Sequence, residues 1–282
     1  MGARLLFVLF FVTVFMMRPR AEKECAGKEI DLRLPEVIIA EEKGSSLLGA
    51  TVLGVEFAAL PLFNLHIKGD AVTFGNPLHN LRENEPYLQD NVWHFIGAAA
   101  ATELHYLLLD HYFSISNPKV AAGALSLFFW TIMECFDGFT GAGFSVKDQV
   151  SNTMGVAFGI FKLYHPQIPL YIRVGVENWG RLVAFAGSGF DLCAVGTDYY
   201  SIFKTEIIYV FENNFYAGIG SIKGRGTGNH DDRYGVTVGY ELFRGIEQEN
   251  DYWWAHSLAY FRRHFILSIG VTYWFDNIKF EL

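Results

Sequence analysis

The chain has 282 residues, enough for one large domain or two ordinary ones. Hydrophobic residues make up 51% of it, aromatics 16% and charged residues only 18%, with a mean hydropathy of +0.20. That balance leans toward a membrane or envelope protein without being that of a polytopic carrier. A net charge of -8 with no Lys/Arg cluster argues against nucleic acid as a partner. Cys25, Cys135 and Cys193 are odd in number and scattered, so they form neither a disulfide framework nor a CxxC metal site.

Arg4 precedes an uncharged run from Leu5 to Met17. The run is short for a comfortable membrane span and suits the apolar core of a secretion signal. Arg18, Pro19 and Arg20 follow where small residues would mark a cleavage site. An uncleaved N-terminal anchor is therefore the alternative for residues 1–27. Residues 28–43 are charged and mixed, with Pro35 and the pair Glu41-Glu42, and read as an exposed linker with one short strand at Val37 to Ala40.

Residues 44–165 carry the end signals of four helices. The first is expected from about Ser45 to Phe63, interrupted by Glu56 and Pro61. A polar loop containing Gly69, Pro77 and Pro86 follows. The second begins after Asp90 as N-cap and runs to about Tyr112. The third opens at Asn117-Pro118 and stops near Gly138. The fourth opens with Ser145-Val-Lys-Asp148, a capping-box pattern with Asp in place of Glu, and ends before Pro166.

At about 100° per residue, His94 and His105 fall about 20° apart on the second helix, with Glu103 and Asp110 on the opposite side. On the third, Trp130, Glu134 and Asp137 share a wedge of roughly 60°. On the fourth, Asp148, Asn152, Gly155 and Gly159 line one stripe, the two glycines permitting close helix approach. Three otherwise apolar cylinders each carry a narrow polar stripe, and the economical packing turns those stripes toward one another. His94, Glu134, Asp137, Asp148 and Asn152 are therefore the candidate site, expected to meet in one interior cluster. Glu134 has no capping role, and Asp137 three residues on would repel it if both were ionised, so one holds a proton or faces a cation. A divalent metal fits such a set in principle, although the spacing matches no strong metal motif. Each residue also has a plainer reading: Asp90 and Asp148 as caps, Asn152 as an interhelical staple, His94 as a satisfied core histidine.

The pattern Asp90-x-x-x-His94, then Glu134-x-x-Asp137-Gly138, then Gly143-Phe144-Ser145-x-x-Asp148-x-x-x-Asn152-x-x-Gly155 resembles the YfiM-like family of predicted periplasmic lipoproteins of unknown function. The stretch from Glu134 to Gly155 is also similar in outline to VanZ-like membrane proteins. The resemblance covers about residues 45–160. It implies a compact, membrane-associated helical domain in the bacterial envelope and supplies no catalytic role. The chain departs from the lipoprotein description at Cys25, which follows Glu22-Lys23-Glu24 rather than a small apolar box.

After Pro166 the period becomes alternating. Tyr234, Val236, Val238, Tyr240 and Leu242 share one face of a strand, with Gly235, Thr237, Gly239, Glu241 and Phe243 on the other. Phe265 to Phe275 repeats the pattern, and shorter runs cover Leu170–Glu177, Arg181–Ala186, Ile202–Glu212 and Phe215–Ile222. Turns are expected at Glu212-Asn213-Asn214 and in Gly224 to Asp232. Six to eight such strands within residues 168–282, apolar outside and small inside, suit a small outer-membrane barrel. An ordinary antiparallel sheet covering the helices is the competing reading. His230-Asp231-Asp232 reads as a solvated turn, and Trp253-Trp254 with Arg262-Arg263-His264 as a membrane interface or strand end.

The expected fold class is α+β: a four-helix membrane-associated bundle followed by an antiparallel meander. The expected function is that of a cell-envelope protein, with a structural or interaction role, in the outer membrane or a periplasm-facing membrane. Its partners would be the lipid bilayer and another envelope protein or a lipid-linked molecule. The alternatives are a membrane-embedded hydrolase or transferase using Glu134 or Asp137 as general base with His94 assisting, and a small pore or transport accessory.

Overall fold

A computed structural model describes residues 45–68, 88–140, 143–188, 202–223, 232–242, 253–265 and 268–275. The expected signal or anchor, the linker, the Gly69–Pro86 loop and the tip of the loop bearing His230 and Asp231 lie outside them. The described elements are α1 (Ser46–Lys68), α2 (Leu88–Tyr112), α3 (Pro118–Gly138), α4 (Val146–Tyr164), β1 (Leu170–Val176), α5 (Trp179–Gly187), β2 (Phe203–Val210), β3 (Phe215–Lys223), β4 (Asp232–Glu241), α6 (Trp253–His264) and β5 (Ser268–Phe275). The class is α+β, with the helices first and an antiparallel sheet after them.

Local chemistry sets the helix ends. Asn117 accepts from the Val120 amide with Pro118 at the first helical position, and Ser145 Oγ accepts from the Asp148 amide at 3.0 Å. Helix α1 continues past Pro61 to Lys68 instead of stopping at Phe63. Helix α2 begins at Leu88, so Asp90 lies in its first turn and is not the N-cap. Helices α2, α3 and α4 pack on one another, while α1 leans on α2 through Val52 and Leu53, against Leu104, Leu108 and Tyr112. The closest approach is between α2 and α4. A Cβ at Gly155 would fall on the Phe95 carbonyl, and one at Gly159 would stand 2.7 Å from Thr102 Cβ.

The five strands pair antiparallel in the order β1-β2-β3-β4-β5, an open sheet and not a closed barrel among the described residues. A parallel bridge between Val174 and Phe265 brings the residue leading into β5 to the outer edge of β1. The expected strand at Arg181–Ala186 is instead part of α5, capped by Asn178, which accepts from the Arg181 amide at 3.1 Å. A short apolar run does not distinguish strand from helix by period alone, and here the cap decides. Arg262, Arg263 and His264 likewise lie on a helix, α6, and not at a strand end. The two tryptophans that begin α6 share that helical backbone.

Register divides the sheet into two unlike faces. One rung of the outer face runs Ile172, Ile207, Ile219, Val236, Tyr273 across all five strands, and the next runs Leu170, Tyr209, Ala217, Val238, Val271. Most of these apolar groups are exposed, Ile219 at 60%, Val271 at 71% and Tyr273 at 70%, while Leu170, Ile172 and Ala217 are half-buried. The opposite face pairs Arg173 with Glu206, Gly220, Gly235 and Trp274, and Tyr171 with Ile208, Gly218, Thr237 and Thr272. There Arg173 is fully buried. It bonds Glu241, lies 3.3 Å from Glu206 and covers the Tyr216 ring at 4.6 Å. Arg262 from α6 reaches Glu241 at 3.1 Å, and Lys204 reaches Glu206 at 3.0 Å.

Helix α6 also ties the sheet to the helices. Arg263 bonds Glu103 of α2, His264 Nε2 lies 2.8 Å from its other oxygen, and Tyr260 donates to the Ala100 carbonyl at 3.3 Å. Burial works against the Glu103 carboxylate, but Arg263 and His264 outweigh it and hold its pKa at about 2. A depressed carboxyl pKa contributes stability above the unfolded value and loses it as pH falls toward the folded one. Docking of α6 should therefore weaken from about pH 4.5 downward, read as faster amide exchange in α6. Glu103→Gln should remove that dependence at a cost on the order of 2 kcal/mol. Arg173→Met, which leaves two buried glutamates without their shared cation, should cost about 3–5 kcal/mol in denaturant titration.

Candidate functional site between α2, α3 and α4

The polar stripes of the three helices face inward and meet at His94. Its Nδ1 lies 3.2 Å from Glu134 Oε1 and 3.2 Å from Asn152 Oδ1, while Asn152 Nδ2 donates to Glu134 Oε1 at 3.2 Å. The amide of Asn152 spends its donor on Glu134, so its oxygen accepts, and Nδ1 of His94 carries the proton. The other ring nitrogen, Nε2, stands 3.8 Å from Asp90 Oδ1 and 3.7 Å from Asp148 Oδ2. Asn91 donates to Asp148 Oδ1 at 2.8 Å and fixes that carboxylate.

Helix geometry explains the convergence. Asp90 and His94 are one turn apart on α2, Asp148 and Asn152 one turn apart on α4, and the glycines after Asn152 let the two helices close up. Glu134 enters from α3 and is 1% exposed, and Asn152 is fully buried. The Trp130 ring, one turn earlier on α3, lies edge-on to His94 at 5.5 Å and fills the space over Gly97. Asp137 is buried at the end of α3, where its carbonyl accepts from Thr140 and Gly143 and its charge acts on His94 and Glu134. The structure thus brings His94, Glu134, Asn152 and Asp148 into one cluster with Asp137 at its margin. Asp90 and Asn91, absent from the candidate set, belong to the same cluster.

Burial and charge compete at these groups. Burial disfavours the His94 imidazolium, but Asp148, Glu134, Asp90 and Asp137 together outweigh it and raise the His94 pKa. Glu134 is pushed up to about 7, chiefly by burial, with His94 opposing and the neighbouring carboxylates adding. Asp148 is raised by burial as well, against the pull of His94. A carboxyl held near neutrality beside an imidazole is able to accept or donate a proton, and the same donor atoms suit a cation.

A second set passed unnoticed in the sequence. His105 Nδ1 lies 2.6 Å from Ser126 Oγ, and its Nε2 lies 3.1 Å from Glu56 Oε2. His105 shares the His94 face of α2, and that angular match was the available signal. Ser126 and His105 have no exposed surface, so this chain joins α1, α2 and α3 as a packing contact and offers no entry to a substrate.

The close approach of α2 and α4 positions everything else here. Gly155→Leu should destabilise the helical unit by at least about 1–3 kcal/mol. Asn152→Ala, which removes its hydrogen bonds to Glu134 and His94 but leaves those two facing each other at 3.2 Å, should cost about 0.5–1.5 kcal/mol. Thermal melts with circular dichroism check both, and a melting temperature unchanged by Gly155→Leu would refute the packing account.

No protein-family model, no curated protein and no solved structure matches this chain.

Proposed function

We propose that this chain is a cell-envelope membrane protein with a structural or interaction role, whose sheet turns its outer face to lipid and whose helices are locked by the His94 cluster. One observation carries the reading: the outer face of the sheet exposes Ile207, Ile219, Val236, Val238, Val271 and Tyr273, while the inner face holds the Arg173 ion network beside the apolar cluster of Ile208, Val210 and Tyr216.

The outward residues are also graded as a bilayer would require. Aliphatic Ile207, Ile219, Val236, Val238 and Val271 occupy the middle. Phe211, Phe215 and Tyr240 lie at one end of the strands and Tyr234 and Phe275 at the other, while Tyr209 and Tyr273 share the rungs of the aliphatic residues. Phe215 and Tyr240 meet edge-on at 5.3 Å, and Tyr273 and Phe275 at 5.5 Å. Aromatic residues at the ends of an exposed aliphatic band support a lipid-facing sheet.

Closure into a small barrel would complete the arrangement, and the Val174–Phe265 bridge supports it by bringing the β5 side of the sheet to the β1 edge. The four-helix bundle belongs to the same reading, with α1 as its least embedded member. Val146, Val150 and Met154, at successive turns of α4, are exposed and give the helical unit an apolar face suited to membrane association. Among the described residues α3 alone is long and apolar enough to cross a membrane, but it packs against both α2 and α4 and is read as a core helix. The resemblance to YfiM-like envelope proteins agrees with this placement.

Charge on the outer face tests it. Ile219→Lys should lower membrane-integrated protein and, in a bilayer refolding assay, cost about 2–4 kcal/mol. The same substitution on a sheet facing water would be neutral. Equal recovery of wild type and Ile219→Lys in the carbonate-resistant membrane fraction would overturn the proposal.

A further inference from the structure

We propose that Asp90, His94 and Asp148 form a site for a first-row divalent metal ion of the Zn2+ or Mn2+ kind, with Glu134, Asn152 and Asn91 holding the ligands in position. The proposal goes beyond the envelope reading and stands without it.

The three residues bring one donor atom each within 4.8 Å of one another. His94 Nε2 faces Asp90 Oδ1 at 3.8 Å and Asp148 Oδ2 at 3.7 Å, too far for hydrogen bonds. Zinc–ligand bonds of about 2.0–2.2 Å place tetrahedral ligand atoms roughly 3.4 Å apart, so a small inward movement encloses an ion. The site is built in a second respect: the atoms not facing the common point are tied off. His94 Nδ1 is engaged by Asn152 and Glu134, which turns the Nε2 lone pair toward the carboxylates, and Asn91 holds Asp148 Oδ1, which leaves Oδ2 toward His94. A histidine whose far nitrogen donates to a carboxylate is the recurrent outer partner arrangement of metal sites.

An independent observation points the same way. Glu134 is 1% exposed, and its second oxygen, Oε2, is buried with no hydrogen-bond partner. A buried carboxylate oxygen in that condition is costly in a protein that binds nothing there. Positive charge gathered at His94 favours the buried carboxylate as a whole, and a metal on Nε2 would strengthen the Nδ1–H donor that Glu134 Oε1 holds.

The donor set selects the ion. One imidazole and two carboxylates suit Zn2+ or Mn2+, whereas Ca2+ calls for six to eight oxygens and Mg2+ for mostly water. Three protein ligands leave a fourth position open, and His94 at 15% exposure is the least buried of the three.

The experiment is metal titration of the full-length protein, purified in detergent and stripped with a chelator. Calorimetry with Zn2+ and with Mn2+ should show one equivalent bound per chain, and the Co2+-loaded protein should show visible ligand-field bands with an imidazole ligand. Asp148→Asn, which keeps the Asn91 contact and the helix cap, should weaken binding at least tenfold. Glu134→Gln should weaken it about 10–100-fold through loss of the outer partner. His165→Ala, remote from the cluster, should bind as wild type. Folding of each variant is checked by circular dichroism, and Asp148→Asn decides if Glu134→Gln fails to fold. Absence of stoichiometric binding by wild type, or binding unchanged in folded Asp148→Asn, overturns the site.

Discussion

Helix α2 is packed on two opposite sides, and the rest of the structure follows from how its buried polar residues are satisfied. His94 and His105 point to one side, toward α3, α4 and α1, and Glu103 points about 180° away, toward α6. A charged or imidazole group buried on each side of a helix requires a partner on each side. The helical cluster and the sheet are thereby fastened to the same element from opposite directions. Loss of α6 would leave Glu103 buried without its cations, so the sheet is a condition of the helical unit's stability as well as a neighbour of it.

The same constraint operates inside the sheet. Arg173 is fully buried, tolerable only because Glu206 and Glu241 neutralise it and Tyr216 supplies an aromatic face. Lys204 pairs with Glu206 and Arg262 with Glu241, and Glu177 lies 3.8 Å from Lys204, so three cations meet three carboxylates. The small residues of this face are part of the same solution: a Cβ at Gly270 would occupy the position of the Tyr216 hydroxyl. Charged and small residues share the interior with the apolar cluster of Ile208, Val210 and Tyr216, and the opposite face exposes Ile219, Val238 and Val271. An exposed apolar face of this kind is what joins the sheet to the proposed bilayer placement.

The candidate cluster was largely legible, because its residues repeat at helical spacing on helices with clear caps. Ser145, Asn117 and Pro118 fixed the phase of α3 and α4, and the phase placed Glu134, Asp148 and Asn152 on inward stripes. Asp before an apolar run is a common helix start and predicts Asp90 as a cap, yet α2 starts at Leu88 and frees its carboxylate for His94. Arg173, Glu206, Glu241 and Arg262 left no comparable trace. Their partnership spans three strands and a helix, and no local period records a contact between positions that distant. Arg262 and Arg263 were assigned to a strand end for the same reason.

Composition and alternation by themselves determined the α+β class, the change of architecture after Pro166, the apolar outer face of the strands and the inward stripes of α2, α3 and α4. Those properties depend on spacing along one element, which the order of residues encodes directly. Tertiary structure alone decided that Arg181–Ala186 is helical, that α6 lies between α2 and the sheet, and that the sheet wraps a buried ion network. It also decided which atoms of His94 face which carboxylates. Those outcomes depend on long-range pairing of charges, whose strength is set by the burial that only the assembled fold creates.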